Sequence, residues 1–278
     1  MVDKTGSLLS SSIVSIVSRV LVALVSLFAI RLTRSFLGED EFVIFGLAMF
    51  AVGLNTAIIF PVNQWFWAEY SFSVFRESVA FATTLTIFCL PVILVCLLFF
   101  SGEQLVSLDS SLLFLGIACV LFAVSQQQIR FSYGSCIMRG MPLVGQLYLL
   151  LSAGLECLSA FWCQFVSHSL FWRLAGGSAI SLLLLRISDH YFLEEQLAKE
   201  NKSLILTALI KNAFSKVISK TGFESIFASV LLTIASMGER VIVPTSFPQV
   251  DDSSGFNTAD YMLVAMYATA YLSILMVL

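Results

Sequence analysis

The chain contains long apolar runs separated by short polar stretches, and this feature constrains its fold most. A helix needs about 20 mainly apolar residues to cross a hydrocarbon core about 30 Å thick, whereas a sheet can cross only as a closed barrel. Only 12% of the residues are charged and the mean hydropathy is +0.93. We therefore predict an all-α polytopic membrane protein with about eight transmembrane helices. Their predicted ranges are 8–30, 42–61, 79–100, 111–129, 143–165, 170–187, 223–243 and 260–278.

The charges and motifs disfavour nucleic-acid binding and enzymatic chemistry. Lys and Arg number 15 against 18 Asp and Glu, so there is no basic surface for a nucleic acid. The six cysteines show no C-x-x-C pairing, and His168 and His190 stand apart, so we predict neither a metal nor another cofactor. G-x-S-x-G, H-E-x-x-H and phosphate-loop motifs are also missing. We predict a membrane transporter without catalytic residues.

The distribution of Lys and Arg predicts the orientation in the membrane. With the N-terminus in the cytoplasm, ten of these residues fall on the inner side, and Arg19 lies inside the first helix. The four on the outer side are Arg31, Arg34, Arg173 and Arg240. Cytoplasmic loops carry the excess of positive charge, so a cytoplasmic N-terminus is predicted, although Arg31 and Arg34 oppose the bias. The first apolar run is too long for a cleaved signal peptide, and we expect it to stay attached.

The predicted helices divide into a six-helix N-terminal lobe at 1–187 and the start of a second lobe at 223–278. The connection, 188–222, carries apolar residues on one helical face and lysines on the other. Such a pattern is typical of an amphipathic helix in the membrane interface. A plain basic cytoplasmic loop held to anionic lipid is the alternative interpretation.

A weak internal repeat supports a two-lobe plan. A shift of 219 residues places the run that begins at Glu41 over the run that begins at Asp260, each an acidic residue followed by an aromatic one and an apolar helix. Two lobes of like topology are a common transporter plan. The last apolar run stops without a polar flank, so we expect a fragment or a truncated product.

Arg19 lies in a polar stripe on the first predicted helix. Within an arc of about 120° it is joined by Ser11, Ser12, Ser15, Ser18 and Ser26. An ionisable group in a membrane span costs roughly 2.5–3.5 kcal/mol, so such a stripe faces protein, water or substrate. One interpretation is a cationic wall for an anionic substrate, because a guanidinium fork suits phosphate. The other is a serine-rich packing seam with Arg19 paired to a carboxylate.

Glu156 lies in a second polar stripe, on predicted helix five. It shares an arc of about 80° with Gly145, Tyr148, Ser152, Ser159 and Cys163. A carboxylate in this position is either protonated or paired with a cation. We therefore expect Glu156 to carry a coupling proton or to balance a substrate charge, unless it forms a static ion pair with Arg19.

Gln126 and Gln127 lie near the predicted cytoplasmic end of helix four. Amide side chains can bind sugar hydroxyls, but inside membranes they more often form hydrogen bonds between helices. Gln126 and Gln127 are therefore candidates both for binding sugar and for hydrogen bonding between helices.

Three segments resemble bacterial polysaccharide (O-antigen) flippases of the multidrug/oligosaccharidyl-lipid/polysaccharide exporter superfamily. The segment from Arg31 to Phe42, RLTRSFLGEDEF, is similar to the family stretch that joins the first two helices. Further matches are Met138-Arg139-Gly140 after helix four and Gly238-Glu239-Arg240-Val241-Ile242-Val243 at the end of helix seven. Their order and spacing cover nearly the whole chain.

This resemblance implies two six-helix bundles around a cavity that opens alternately to each side of the bacterial inner membrane. The implied substrate is an undecaprenyl-pyrophosphate-linked oligosaccharide, and the implied partners are membrane lipids, a glycan polymerase and assembly proteins. Arg19 and Arg34 would meet the pyrophosphate, and Gln126 and Gln127 the sugar. Glu156 would carry the coupling proton or balance charge. The family has a dozen or more helices, so most of the second lobe is missing from this chain.

The sequence is also compatible with two alternative functions. A cation-coupled drug antiporter of the same superfamily would favour an acidic lobe, and Arg19 with a lone Glu156 argues modestly against it. A non-transporting scaffold for glycan assembly, or a decayed flippase, would account for the early end of the chain.

Overall fold

The computed structural model describes residues 3–70, 75–100, 111–138, 141–166, 170–189, 215, 219–238, 240–241 and 257–275. These residues form eight helices and no strand, so the predicted all-α polytopic membrane fold is confirmed. The helices are α1 (Asp3–Phe36), α2 (Glu39–Tyr70), α3 (Phe75–Phe100), α4 (Ser111–Met138), α5 (Pro142–Val166), α6 (Leu170–Asp189), α7 (Lys220–Met237) and α8 (Thr258–Leu275).

Within the described residues, five helices are long and apolar enough to cross a membrane, and these are α1 to α5. Two shorter apolar segments follow in α6 and α7, at Leu170–Leu185 and Thr221–Met237. The chain is therefore a multi-pass protein embedded in a membrane.

Most helices are longer than the apolar runs that predicted them. The second helix, for example, continues through Pro61 to Tyr70 rather than ending at residue 61. Hydropathy marks only the part of a helix that lies in hydrocarbon, and helices extend beyond it into the interface. Helix α7 differs, because it ends at Met237, six residues before the predicted end, and Gly238 is its C-cap residue, with its backbone N–H bonded to Ile234 O at 2.7 Å.

The predicted connector falls largely outside the described residues, as do residues 139–140, 239 and 242–243 of the motifs. Its end is described, because α7 begins at Lys220. Ser219 caps that helix, and its side chain accepts a hydrogen bond from Gly222 N at 3.2 Å. The division into two lobes at 187 and 223 stays a prediction.

The core is built around α2, which packs against α3, α4, α7 and α8. In its most apolar stretch 72% of the residues are buried, against 11% in the corresponding stretch of α1. Phe42, Phe45 and Leu47 of α2 are almost fully enclosed. Because α2 is covered by protein on most sides, it positions the polar groups of the surrounding helices.

Two glycines allow α7 and α8 to approach α2 closely. A Cβ atom on Gly46 would lie 2.8 Å from Met262 Cγ in α8. One on Gly53 would lie 3.0 Å from Met237 Sδ in α7. The two positions are two helical turns apart and share one face of α2, so small residues form the contact, as is common between membrane helices.

The starts of α2 and α8 lie side by side. Glu39 begins α2 and Thr258 begins α8, which is the same offset of 219 residues as the sequence repeat. Asn257 donates from Nδ2 to Glu39, and Arg34 donates to Asp260 Oδ1 at 3.1 Å. The two repeated segments thus meet at their N-terminal ends.

Candidate functional site

The serine stripe of α1 packs against α5. Ser18 Oγ donates to Gln146 Oε1 at 2.5 Å, and Gln146 Nε2 donates to Ser15 Oγ at 3.1 Å. Ser18 and Gln146 are each 4% exposed. The part of the stripe at Ser15 and Ser18 is therefore a polar packing seam between α1 and α5.

Arg19 lies beside this seam but is exposed. Its Nη2 donates to the Tyr133 hydroxyl of α4 at 3.3 Å. Tyr133 reaches this position across Gly145 of α5, where an added Cβ would lie 3.2 Å from the tyrosine ring and 3.3 Å from its carbonyl oxygen. Arg19 thus contacts a tyrosine, and the ion pair with Glu156 considered from the sequence is not formed.

Arg130 adds a second cation to the same region. It is exposed on α4 and lies three residues before Tyr133, which places both side chains on one face of the helix. Arg130 also interacts electrostatically with Glu156 of α5. Arg19, Tyr133 and Arg130 together are called the arginine face below.

Glu156 is half-buried where α4, α5 and α6 meet, and its Oε1 accepts a hydrogen bond from Gln126 Nε2 at 2.8 Å. It borders a cavity of about 10 Å³, which is room for one water molecule. This Glu156 cavity is lined by Phe122, Ser125, Gln126, Leu155, Glu156, Ser159, Arg173, Leu174, Gly177, Ser178 and Ser181. Gly145, Tyr148, Ser152, Ser159 and Cys163, which share the polar arc of helix five with Glu156, are all buried.

Arg173 is the buried cation of the Glu156 cavity. It is 3% exposed, its Nε donates to Thr33 Oγ1 of α1 at 2.7 Å, and its guanidinium carbon lies 5.2 Å from the centre of the Phe45 ring. Its Nη1 has no hydrogen-bond partner among the described residues. Arg173 and Arg130 both act on Glu156 electrostatically, but neither forms an ion pair with it within 4.0 Å in the described part of the chain.

Sequence reasoning placed Arg173 outside the membrane and missed this role. The arginine stands in the first turn of α6, where a cation normally marks a helix flank. A signal was nevertheless available, because Arg173, Gly177 and Ser181 recur every four residues and so share one helical face.

Gly177 allows α5 and α6 to come together at this cavity. A Cβ on Gly177 would lie 2.7 Å from Ser159 Oγ and 3.3 Å from Leu155 O. In return, Ser159 Oγ donates to Arg173 O at 2.5 Å. The close approach brings the carboxylate of α5 and the guanidinium of α6 to one cavity.

Gln126 and Gln127 are separated by the structure. They are about 100° apart around α4, so Gln126 reaches Glu156 while Gln127 lies on the side of α2 and α3. Gln127 Nε2 donates to Thr86 Oγ1 at 2.5 Å and is 5% exposed. It therefore serves as a hydrogen-bonding contact between helices.

Arg34 does not join the arginine face. It lies 15 residues after Arg19, about 22 Å further along α1. Its Nη2 pairs with Asp260 at 3.1 Å and lies 4.0 Å from Glu39. The positive charge of Arg34 is thus already compensated by two carboxylates.

Comparison with known proteins assigns no family to this chain. No protein-family model, no curated protein and no solved structure matches the chain. The described residues also contain no group of three or more His, Cys, Asp or Glu placed to hold a metal ion. The fold and the site therefore define a polytopic helical membrane protein with an exposed arginine pair and a buried, mixed-charge cavity.

Proposed function

We propose that the protein is a flippase for an undecaprenyl-pyrophosphate-linked oligosaccharide in the bacterial inner membrane, where it supplies surface polysaccharide assembly. The observation that carries the proposal is the arginine face, in which exposed Arg19 bonds to the Tyr133 hydroxyl and exposed Arg130 shares the helix face of Tyr133. Charged groups on a membrane bundle are costly and mark substrate paths. The resemblance of the Arg31–Phe42 segment supplies the substrate class.

In this proposal Arg19 and Arg130 bind the pyrophosphate. Guanidinium groups form paired, charge-assisted hydrogen bonds with phosphate oxygens, so the two guanidinium groups of the arginine face suit a diphosphate. Tyr133 holds Arg19 in place, and its hydroxyl is a further donor. Arg34, which was also expected to meet the pyrophosphate, is held by Asp260 and is better suited to joining α1 to α8.

Glu156 balances charge or carries the coupling proton. It interacts electrostatically with a buried cation, Arg173, and an exposed one, Arg130. A protonation change at Glu156 would alter the net charge next to the arginine face, which is a direct way to couple a proton to an anionic substrate. Gln126 bonds to the same carboxylate and is the helix-four amide best placed to meet sugar, since Gln127 is occupied by Thr86.

The proposal keeps a cytoplasmic N-terminus, with membrane lipids, a glycan polymerase and assembly proteins as partners. A cation-coupled drug antiporter is less well supported, because Arg130 and Arg173 give the surroundings of Glu156 a net positive charge that repels cationic drugs.

Gene deletion and complementation in the native host test the proposal. Surface polysaccharide and the lipid-linked oligosaccharide retained on the cytoplasmic side are both quantified. Complementation uses the unaltered chain and its Arg19→Ala, Arg130→Ala and Glu156→Gln variants at matched expression. Arg31→Ala is the matched control, because Arg31 is an exposed arginine of the same helix outside the arginine face.

The expected result is loss of surface glycan with accumulation of the intact lipid-linked unit. The unaltered chain and Arg31→Ala should restore export, and the other three variants should not. Unchanged glycan after deletion, with altered drug tolerance, would favour the antiporter. Unchanged glycan and drug tolerance would favour a non-transporting scaffold or remnant.

A further inference from the structure

A buried guanidinium group at the Glu156 cavity lacks an acceptor. Arg173 is 3% exposed, its Nε bonds to Thr33 Oγ1 at 2.7 Å, and its guanidinium carbon lies 5.2 Å from the centre of the Phe45 ring. Its Nη1 is buried without a hydrogen-bond partner among the described residues. A buried charged donor left unpaired costs more free energy than a neutral one, so native structures normally supply a partner. Arg173 therefore requires an acceptor close to Nη1.

Glu156 is the anion that shares this cavity with Arg173, but the two side chains form no ion pair within 4.0 Å in the described part of the chain. One carboxylate oxygen of Glu156 accepts a hydrogen bond from Gln126 Nε2 at 2.8 Å. Two polar groups that line one cavity beyond direct contact are commonly joined by a water molecule. A ligand between them would supply the missing acceptor to Arg173 and a further donor to the carboxylate.

The size and chemistry of the cavity select this ligand. Its volume of about 10 Å³ admits one water molecule. Its lining includes four serines, of which Ser125, Ser159 and Ser178 donate their hydroxyl protons to main-chain carbonyls. The oxygens of these hydroxyls can still accept hydrogen bonds. An anion would be repelled by the carboxylate of Glu156 and a cation by the guanidinium of Arg173, so a neutral molecule that both donates and accepts is favoured.

We propose that the Glu156 cavity binds one water molecule, which accepts a hydrogen bond from Arg173 Nη1 and donates to the Glu156 carboxylate and to a serine oxygen. Three hydrogen bonds are the usual number for a buried water molecule. The water would complete a chain of hydrogen bonds from Thr33 in α1 through Arg173 in α6 and Glu156 in α5 to Gln126 in α4. The site depends on the helix packing and not on the proposed flippase activity, so either can fail without the other.

A density map of the purified full chain, at a resolution that shows ordered water, tests the site. A peak is expected within about 2.7–3.2 Å of both Arg173 Nη1 and a Glu156 carboxylate oxygen, which is the ordinary length of such hydrogen bonds. Ordered side chains with no peak between them would overturn the proposal. A direct contact between the guanidinium and the carboxylate would also overturn it.

Filling the cavity tests the site in solution by thermal unfolding. Ser178→Thr adds a methyl group at the cavity wall and keeps a hydroxyl that can bond to Leu174 O. Displacement of a bound water would leave Arg173 without an acceptor, so the thermal midpoint should fall by about 2–4 °C in a chain of this size. Filling a dry cavity would instead raise the midpoint. Ser35→Thr is the matched control, because Ser35 also bonds to a carbonyl of its own helix but is exposed, and it should shift the midpoint by about 1 °C or less.

An uncharged background separates the loss of water from steric overlap. In the Arg173→Met, Glu156→Gln double variant no guanidinium needs an acceptor, so adding Ser178→Thr should no longer lower the midpoint. An unchanged or higher midpoint for Ser178→Thr in the unaltered chain would overturn the proposal. An equal fall in both backgrounds would indicate overlap with the cavity wall and would also overturn it. If the double variant does not fold, the density map decides.

Discussion

Arg34 of α1 pairs with Asp260 of α8 at 3.1 Å between Nη2 and Oδ1, although the two residues are 226 positions apart in sequence. The side chain of Arg34 is 21% exposed and that of Asp260 is 32% exposed. Asp260 also accepts a hydrogen bond at 3.4 Å from the backbone N–H of Asn257, the residue just before its own helix. The pair therefore joins the end of one membrane helix to the start of another that lies far along the chain.

Charge reversal at this pair should destabilise the fold, and a charge swap should restore part of the loss. Arg34→Glu or Asp260→Arg alone places like charges together and should lower the free energy of unfolding by about 2 kcal/mol, between the values of surface and buried pairs. The double variant should recover at least half of this in a double-mutant cycle of denaturant unfolding in detergent. Arg31→Glu, on the exposed side of α1, should change stability by about 0.5 kcal/mol or less. Additive single effects would show that the pair contributes nothing.

Gly177 should tolerate no side chain. Gly177→Ala pushes a methyl group against Ser159 Oγ and Leu155 O, and overpacking of this kind costs about 1–3 kcal/mol. Gly154→Ala in α5 is the control, because nothing lies within 4 Å of its added Cβ and alanine favours a helix. Thermal midpoints should fall for the first and stay or rise for the second. Equal midpoints would contradict the close contact of α5 and α6.

The seam between α1 and α5 should contribute measurable stability through Gln146. Gln146→Leu removes the hydrogen bonds to Ser15 and Ser18, and interhelical hydrogen bonds in membrane proteins are worth about 0.6–1.7 kcal/mol. Ser18→Ala should cost less, because Gln146 keeps its bond to Ser15. The free energy of unfolding of both variants checks this order, and a stabilised Gln146→Leu protein would contradict it.

The predicted orientation can be tested by cysteine labelling. The six cysteines are free, so they are first replaced by alanine or serine. Gly38→Cys lies in the exposed turn between α1 and α2, and an added Cβ there meets nothing within 4 Å. A thiol reagent that cannot cross the membrane should label Gly38→Cys in intact cells, and should label Thr221→Cys, at the exposed start of α7, only after permeabilisation. The reverse pattern would place the N-terminus outside.

The number and type of helices could be predicted from the sequence because apolar run length directly reports membrane crossing. The polar face around Glu156 was also predictable, because an α-helix has 3.6 residues per turn and residues three or four positions apart therefore lie on one face. Contacts such as Ser18 with Gln146 were not, because periodicity says which face is polar but not which helix it meets. Arg173 was missed for a related reason, since hydropathy cannot distinguish an interfacial arginine at a helix start from one turned into the bundle.

Because α2 is enclosed by other helices, its apolar residues must meet two separate requirements, insertion into the membrane and packing against protein. During synthesis the helix must be hydrophobic enough to leave the insertion machinery for lipid, and only afterwards does it exchange lipid for neighbouring helices. Exchanging Phe45 for a leucine would satisfy the first requirement and disturb the second, because Arg173 packs against that ring. Such variants should be inserted into the membrane and then assembled incorrectly. Cellular quality control would therefore degrade them as full-length membrane proteins rather than as chains that failed to insert.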